Sequence, residues 1–201
     1  KFNIDKNTKL RGLDIGTGAN GIYCILGLQH FNWTMVGTEC DPKSVQIAKA
    51  NMQHTKSLKN KNEIRHQDNK SFLFKNMIHS NEHFDFSVCN PPFHTSKEDA
   101  FRGSQRKLNN LGREFDKTEV TLNFEGQANE LWCNGGEALF IKRLLKESVL
   151  YKTQVNVFST LVSKSASLSP IKKQLIKAKA NFEVLPMDLG NKKSRILLWW
   201  F

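Results

Sequence analysis

Short apolar runs alternate with amphipathic stretches along most of this 201-residue chain. Residues 10–15 (LRGLDI) read as a first strand, and residues 19–29 as an apolar helix. Residues 34–38 (TMVGT) form a second strand, and 42–52 a helix with Pro42 in its first turn, where a missing N–H costs nothing. Residues 63–66 make a weak third strand, 72–79 a short helix, and 84–89 (FDFSVC) a buried fourth strand. Further on, Ala138, Ile141, Leu144, Leu145 and Val149 recur at helical spacing across residues 137–150. A strand over 155–160 and a basic helix over 170–180 follow, and strands over 182–185 and 195–201 end the chain. Strands alternating with helices predict an α/β fold, a mostly parallel sheet with helices on both faces. Residues 186–194 are too few for a parallel return, so the last two strands should be antiparallel.

One segment breaks the rhythm. Residues 94–133 lack periodicity and are rich in Asn, Gly, Arg and Lys. So long a stretch inside one domain reads as a lid or binding insert rather than filler. The chain is read as one domain, residues 1–201, with a lid or insert at about 94–133 whose cations are offset by Glu98, Asp99, Glu114 and Asp116 and whose basic cluster is Arg102, Arg106 and Lys107. It starts at Lys1 without methionine and is expected to lack a leading N-terminal region.

Charge narrows the partners. The net charge of +11 favours a polyanion, with nucleic acid the usual one. Arg102, Arg106 and Lys107 in the insert are candidate nucleic-acid contacts. Lys172, Lys173, Lys177 and Lys179 on the helix over 170–180 offer a second basic surface, or a merely solvated face. No apolar run approaches the ~18 residues of a membrane span, and no signal peptide is visible. Cys24, Cys40, Cys89 and Cys133 have no metal-ligand spacing and read as reduced thiols of a cytoplasmic protein, with no metal expected.

The chemistry concentrates at two strand ends. Residues 14–21 (DIGTGANG) close the first strand and open the first helix. Gly16 and Gly18 permit a tight turn and close approach of a ligand, and Glu39 ends the second strand where an acid could accept ribose hydroxyls. Dinucleotide enzymes and S-adenosylmethionine-dependent methyltransferases share this logic. Asp14 favours the second class, because it would repel a pyrophosphate yet hold the glycine loop or meet an ammonium group. Asp68, after the third strand, is a candidate for an adenine amino group, or a solvated loop acid.

Asn90, Pro91, Pro92 and Phe93 follow the fourth strand. Two prolines remove two donors and fix φ, and each pushes the preceding residue toward extended geometry. The product is a stiff turn presenting the Asn side chain and carbonyl acceptors, suited to gripping a planar amino group. Such an amino group, on a base or an amide, would be held by the Asn90 side-chain oxygen and the Pro91 carbonyl with its lone pair aimed outward. Phe93 would stack on a base, a contact worth roughly 1–3 kcal/mol, and a base in a duplex would have to be flipped out.

The runs LDIGTGANGIYCILG, CNPPFH, GSQRKLNNLG and ELWCNGGEALFIKRLLKES together resemble the bacterial 23S ribosomal RNA (adenine-1618-N6)-methyltransferases. They are more distantly similar to the methyltransferase-like 16 proteins. The resemblance runs from about Leu10 to Phe201. It implies a Rossmann-like class I methyltransferase fold of seven strands, the last one antiparallel, with S-adenosylmethionine as donor. The implied acceptor is an adenine in 23S ribosomal RNA, free or in a large-subunit assembly intermediate. By motif, Gly16 and Gly18 line the cofactor, Glu39 takes its ribose and residues 90–93 hold the base. Ser71 is the alternative to Asp68. Methylation of another RNA adenine, or of a protein glutamine amide, uses the same grip. An RNA-binding module with a vestigial cofactor site is the non-enzymatic alternative, and a nicotinamide oxidoreductase the most distant.

Overall fold

A computed structural model describes residues 8–54, 62–92, 135–189 and 192–201. Seven strands form one sheet: β1 (Arg11–Ile15), β2 (Thr34–Glu39), β3 (Asn62–His66), β4 (Phe84–Cys89), β5 (Val155–Val162), β6 (Asn181–Leu189) and β7 (Lys192–Trp200). Among the described residues four α-helices accompany them: α1 (Ile22–Phe31), α2 (Pro42–His54), α3 (Gly136–Ser148) and α4 (Leu168–Lys177). The strand order is β3-β2-β1-β4-β5-β7-β6, with β7 antiparallel to both neighbours and the β1–β5 pairings parallel. The expected class, with its antiparallel last strand, is therefore what the chain adopts.

Alternation along the strands sends side chains to two cores. On one face Cys24 of α1 and Val45, Ala48 and Met52 of α2 pack on Met35 and Ile64. On the other, Ile141, Leu144 and Leu145 of α3 and Ile171 and Leu175 of α4 cover Leu13, Ile15 and Val36. Adjacent residues Met35 and Val36 thus serve opposite faces, as the two-residue period requires. Trp199 of β7, fully buried, stacks on Phe158 at 5.4 Å and donates its indole N–H to Ser148 Oγ at 2.9 Å. Burial of an indole is tolerable because its one donor has found that acceptor.

Three expectations need correction. Residues 72–79 are turns, not a helix. The Glu147 carboxylate, from the last turn of α3, accepts the backbone N–H groups of Leu73, Phe74 and Lys75 at 2.7–2.9 Å. Asn76, at φ 67°, leaves the right-handed region altogether. The closing hairpin is longer than its hydrophobic pattern, because residues 186–189 and 192–194 extend the ladder. Pro186 fits there because β6 is an edge strand and needs no donor on its open side. Helix α1 starts at Ile22 rather than at residue 19, since Gly21 before it is left-handed (φ 58°).

Candidate active site at the carboxyl edge of the sheet

The strand register brings the two sequence signals together. Ile15 of β1 pairs with Thr38 of β2 on one side and with Cys89 of β4 on the other. One step further along each chain lie Gly16, Glu39 and Asn90. Adjacent strands are about 4.8 Å apart, so these three residues begin a common edge. It falls between β1 and β4, where the order of connection reverses, the place where open α/β sheets bind ligands.

The glycine loop is held from below. The N–H groups of Gly16 and Thr17 both donate to the Thr38 carbonyl at 2.9 Å. Gly16 and Gly18 adopt φ of 70° and 64°, a left-handed backbone that a side chain would strain. A Cβ at Gly16 would meet no atom within 4 Å, so the backbone there faces open space.

Asp14 sits under this loop, 1% exposed. Its Oδ2 accepts the Thr17 hydroxyl at 2.6 Å, while its buried Oδ1 has no hydrogen-bond partner. Burial, with Glu39 nearby, lifts its pKa from 3.8 to about 7 against the pull of the Thr17 hydrogen bond. Near neutrality the carboxyl is therefore divided between charged and protonated forms, and its repulsion of a pyrophosphate is weaker than its sequence position suggests. A cationic group would satisfy Oδ1 and favour the charged form.

Glu39 is also buried, at 6% exposure. One oxygen accepts the Gly18 N–H at 3.0 Å; the other accepts those of Cys40 and Asp41 at 2.7 and 3.0 Å. It ties the end of β2 to the glycine loop and keeps lone pairs for a further donor. Asp41 in turn caps α2, accepting the Ser44 N–H at 2.9 Å.

Asn90 is exposed, Pro91 buried and Pro92 half-buried, so the turn is anchored by its first proline while the amide stands free of the core. The loop after β3 meets Glu39 through Gln67, whose N–H donates to the Glu39 carbonyl at 2.8 Å. Asp68 and Ser71 lie exposed further along that loop. Phe93, Arg102, Arg106, Lys107 and the insert at 94–133 lie outside the described residues.

A family model described as RNA methyltransferase matches residues 1–201. The chain belongs to that family. Its relatives include the ribosomal RNA large subunit methyltransferase F of Christiangramia forsetii, 53% identical over 96% of this chain and 67% of that protein. The protein of the same name from Saccharophagus degradans is 42% identical, over 99% of this chain and 64% of its own length. The chain thus spans about two thirds of the curated relatives it matches. Among solved structures, the N-terminal domain of human METTL16 in complex with SAH superposes with a TM-score of 0.73 at 26% identity, covering 99% of this chain and 64% of that one. The METTL16 catalytic domain in complex with a MAT2A 3′UTR hairpin gives 0.76 at 28%, covering 96% of this chain and 64% of that one.

Two residues of this RNA methyltransferase family member escape sequence reasoning. Gln67 stitches the loop after β3, its Nε2 donating to the Lys75 carbonyl at 2.8 Å and its Oε1 accepting the Asn69 N–H at 3.1 Å. Tyr23, half-exposed in the first turn of α1, has its phenol pKa raised by burial and by the proximity of Asp14 and Cys89. Its position right behind the glycine run was the available signal. Burial holds the described thiols in the protonated form, pushing Cys24 and Cys89 well up and Cys40 to about 11. A nucleophile must be thiolate at working pH. Among the described residues no cluster of His, Cys, Asp or Glu could hold a metal ion, and no helix is long and apolar enough to cross a membrane.

Proposed function

We propose that this chain methylates the N6 of an adenine in 23S ribosomal RNA, using S-adenosylmethionine. The observation that carries the reading is the single-edge placement of Gly16, Glu39 and Asn90 around the β1–β4 switch. The names of the relatives and the SAH and RNA hairpin in the METTL16 structures support the donor and the class of acceptor.

The residues present fit the cofactor. Asp14 offers an unpartnered buried oxygen for an ammonium group, Glu39 has spare lone pairs for ribose hydroxyls, and Gly16 leaves its front open. Asp68 or Ser71 is the neighbour assigned to the adenine. When bound, S-adenosylmethionine supplies an electrophilic methyl group on a sulfonium.

The chain's own contribution is positioning. The Asn90 side-chain oxygen and the Pro91 carbonyl each accept a hydrogen bond from the exocyclic amino group of the target. Its nitrogen is thereby turned out of conjugation, with the lone pair aimed at the donor side. Preorganised acceptors of this kind lower the barrier without reorganising during reaction. Phe93 stacks on the base, and Arg102, Arg106 and Lys107 of the insert hold the phosphates beside it. The substrate is the free ribosomal RNA or a large-subunit assembly intermediate, met in the cytoplasm.

Incubating the chain with unmodified 23S ribosomal RNA and tritiated-methyl donor, then mapping the modified nucleotide, tests this. N6-methyladenosine at one position is expected. Label on protein glutamine, or binding of RNA without transfer, would replace the reading by the amide methyltransferase or the non-catalytic module.

A further inference from the structure

The two helical faces of the sheet differ in charge. Helices α1 and α2 together carry Lys43 and Lys49 as their lysines and no arginine. Helices α3 and α4 carry Lys142, Arg143, Lys146, Lys172, Lys173 and Lys177. The α3–α4 pair holds two carboxylates, Glu137 and Glu147. Among the described helices the cations are therefore concentrated on this one flank.

Neither carboxylate is turned toward these lysines. Glu137, 1% exposed, accepts the Ser163 and Lys164 N–H groups and the Ser163 hydroxyl. Glu147 is occupied by the three amides of residues 73–75. Lys142, Lys146, Lys164, Lys172, Lys173 and Lys177 are exposed. The helices are joined, since Gln174 Nε2 of α4 donates to the Lys142 carbonyl of α3 at 2.9 Å.

Glu137 also fixes where this surface begins. Its bonds to Ser163 and Lys164 pin the first turn of α3 just past the end of β5, at the same edge as Asn90. At 1.5 Å per residue, Lys142 and Lys146 lie roughly 7 and 14 Å down the helix from that point. The stripe runs away from the candidate active site within the reach of nucleotides flanking a flipped-out base.

We infer that the α3–α4 flank is a second RNA-contact surface, on which Lys142, Lys173 and Lys177 bind phosphates of the strand leading from the target adenine. The inference rests on the RNA reading of the site and deepens it. Helices α1 and α2, with Lys43 and Lys49 as their lysines, are left out of this RNA path.

The test uses the whole chain and a fluorescein-labelled RNA hairpin with an unpaired loop adenine, titrated between about 50 and 200 mM salt. In the triple variant Lys142→Gln/Lys173→Gln/Lys177→Gln, affinity should fall on the order of tenfold at the low-salt end, and the log–log salt slope should lose about 2–3, close to one per phosphate contact. The Lys43→Gln/Lys49→Gln variant should keep the parental slope. Equal slopes in the triple variant and parent, or equal losses in both variants, would overturn the inference. If the parent binds S-adenosylmethionine by calorimetry but no RNA, the RNA reading falls and takes this surface with it. Matching thermal midpoints and S-adenosylmethionine affinities in all three proteins separate lost contacts from lost folding.

Discussion

The Glu39 carboxylate accepts the Gly18 N–H at 3.0 Å, so the acid ending β2 closes the glycine loop that ends β1. One residue thereby shapes the loop and stands ready for a donor from the ligand. The Glu39→Ala variant should lose both roles. Charge-assisted hydrogen bonds contribute about 1.5–3 kcal/mol, and calorimetry with S-adenosylmethionine should record a loss in that range. Unchanged affinity would remove Glu39 from the cofactor site.

Asn90 should behave differently, because its amide is exposed and bears no part of the sheet. The Asn90→Ala variant is expected to lose about 10²-fold or more in methyl transfer, the scale seen for a preorganised group at a reacting centre. Its S-adenosylmethionine affinity should stay near that of the parent. Normal turnover in a tritiated-methyl assay would reject the proposed grip on the amino group.

Asp14 predicts a pH dependence whose sign follows from burial. Its folded-state pKa, about 7, lies above the ordinary 3.8, so the native chain binds more protons than the unfolded one between those values. Stability of the ligand-free chain is then highest for this group below about pH 4 and falls as pH rises toward 7. The Asp14→Asn variant should remove that slope, gaining more over the parent at pH 8 than at pH 5 in urea unfolding. A parallel pair of pH profiles would refute the assignment.

Glu82 has the opposite sign. It accepts both Arg65 Nη1 and Nη2 and the Arg11 guanidinium, and the Arg65 hydrogen bonds foremost hold its carboxyl near 2. Its stabilisation is present above the ordinary 4.5 and lost as pH falls through about 2. Glu82→Gln leaves Arg65, 9% exposed, without its main counter-charge. Breaking such a pair should cost about 3 kcal/mol. Denaturation at pH 7 should register the loss, and at pH 2 the gap from the parent should narrow.

The candidate site was legible where the chemistry is local. Gly16 and Gly18 announce a left-handed turn by their identity, and Asn90-Pro91-Pro92 announces a stiff one. Gln67 was not legible, because its role depends on how the loop after β3 folds back to offer the Lys75 carbonyl and the Asn69 N–H. Asp14 was legible as an acid under the loop but not as one with an unpartnered oxygen and a raised pKa, which only its burial creates. The expected helix over residues 72–79 failed for a related reason. Its donors go to Glu147, more than seventy positions away, and no window of local propensity contains that acceptor.

By itself the sequence determined the alternation of strand and helix, the antiparallel close and the two strand-end motifs. Each follows from hydrophobic period, or from the φ demands of glycine and proline, which act within a few residues. The tertiary structure alone decided that β1 pairs with both β2 and β4, and so that Gly16, Glu39 and Asn90 share one edge. It also decided that the carboxylates of α3 turn to backbone amides and leave its lysines outward. Pairing between distant strands is set by which faces must be buried together, and that choice exists only once the chain has closed on itself.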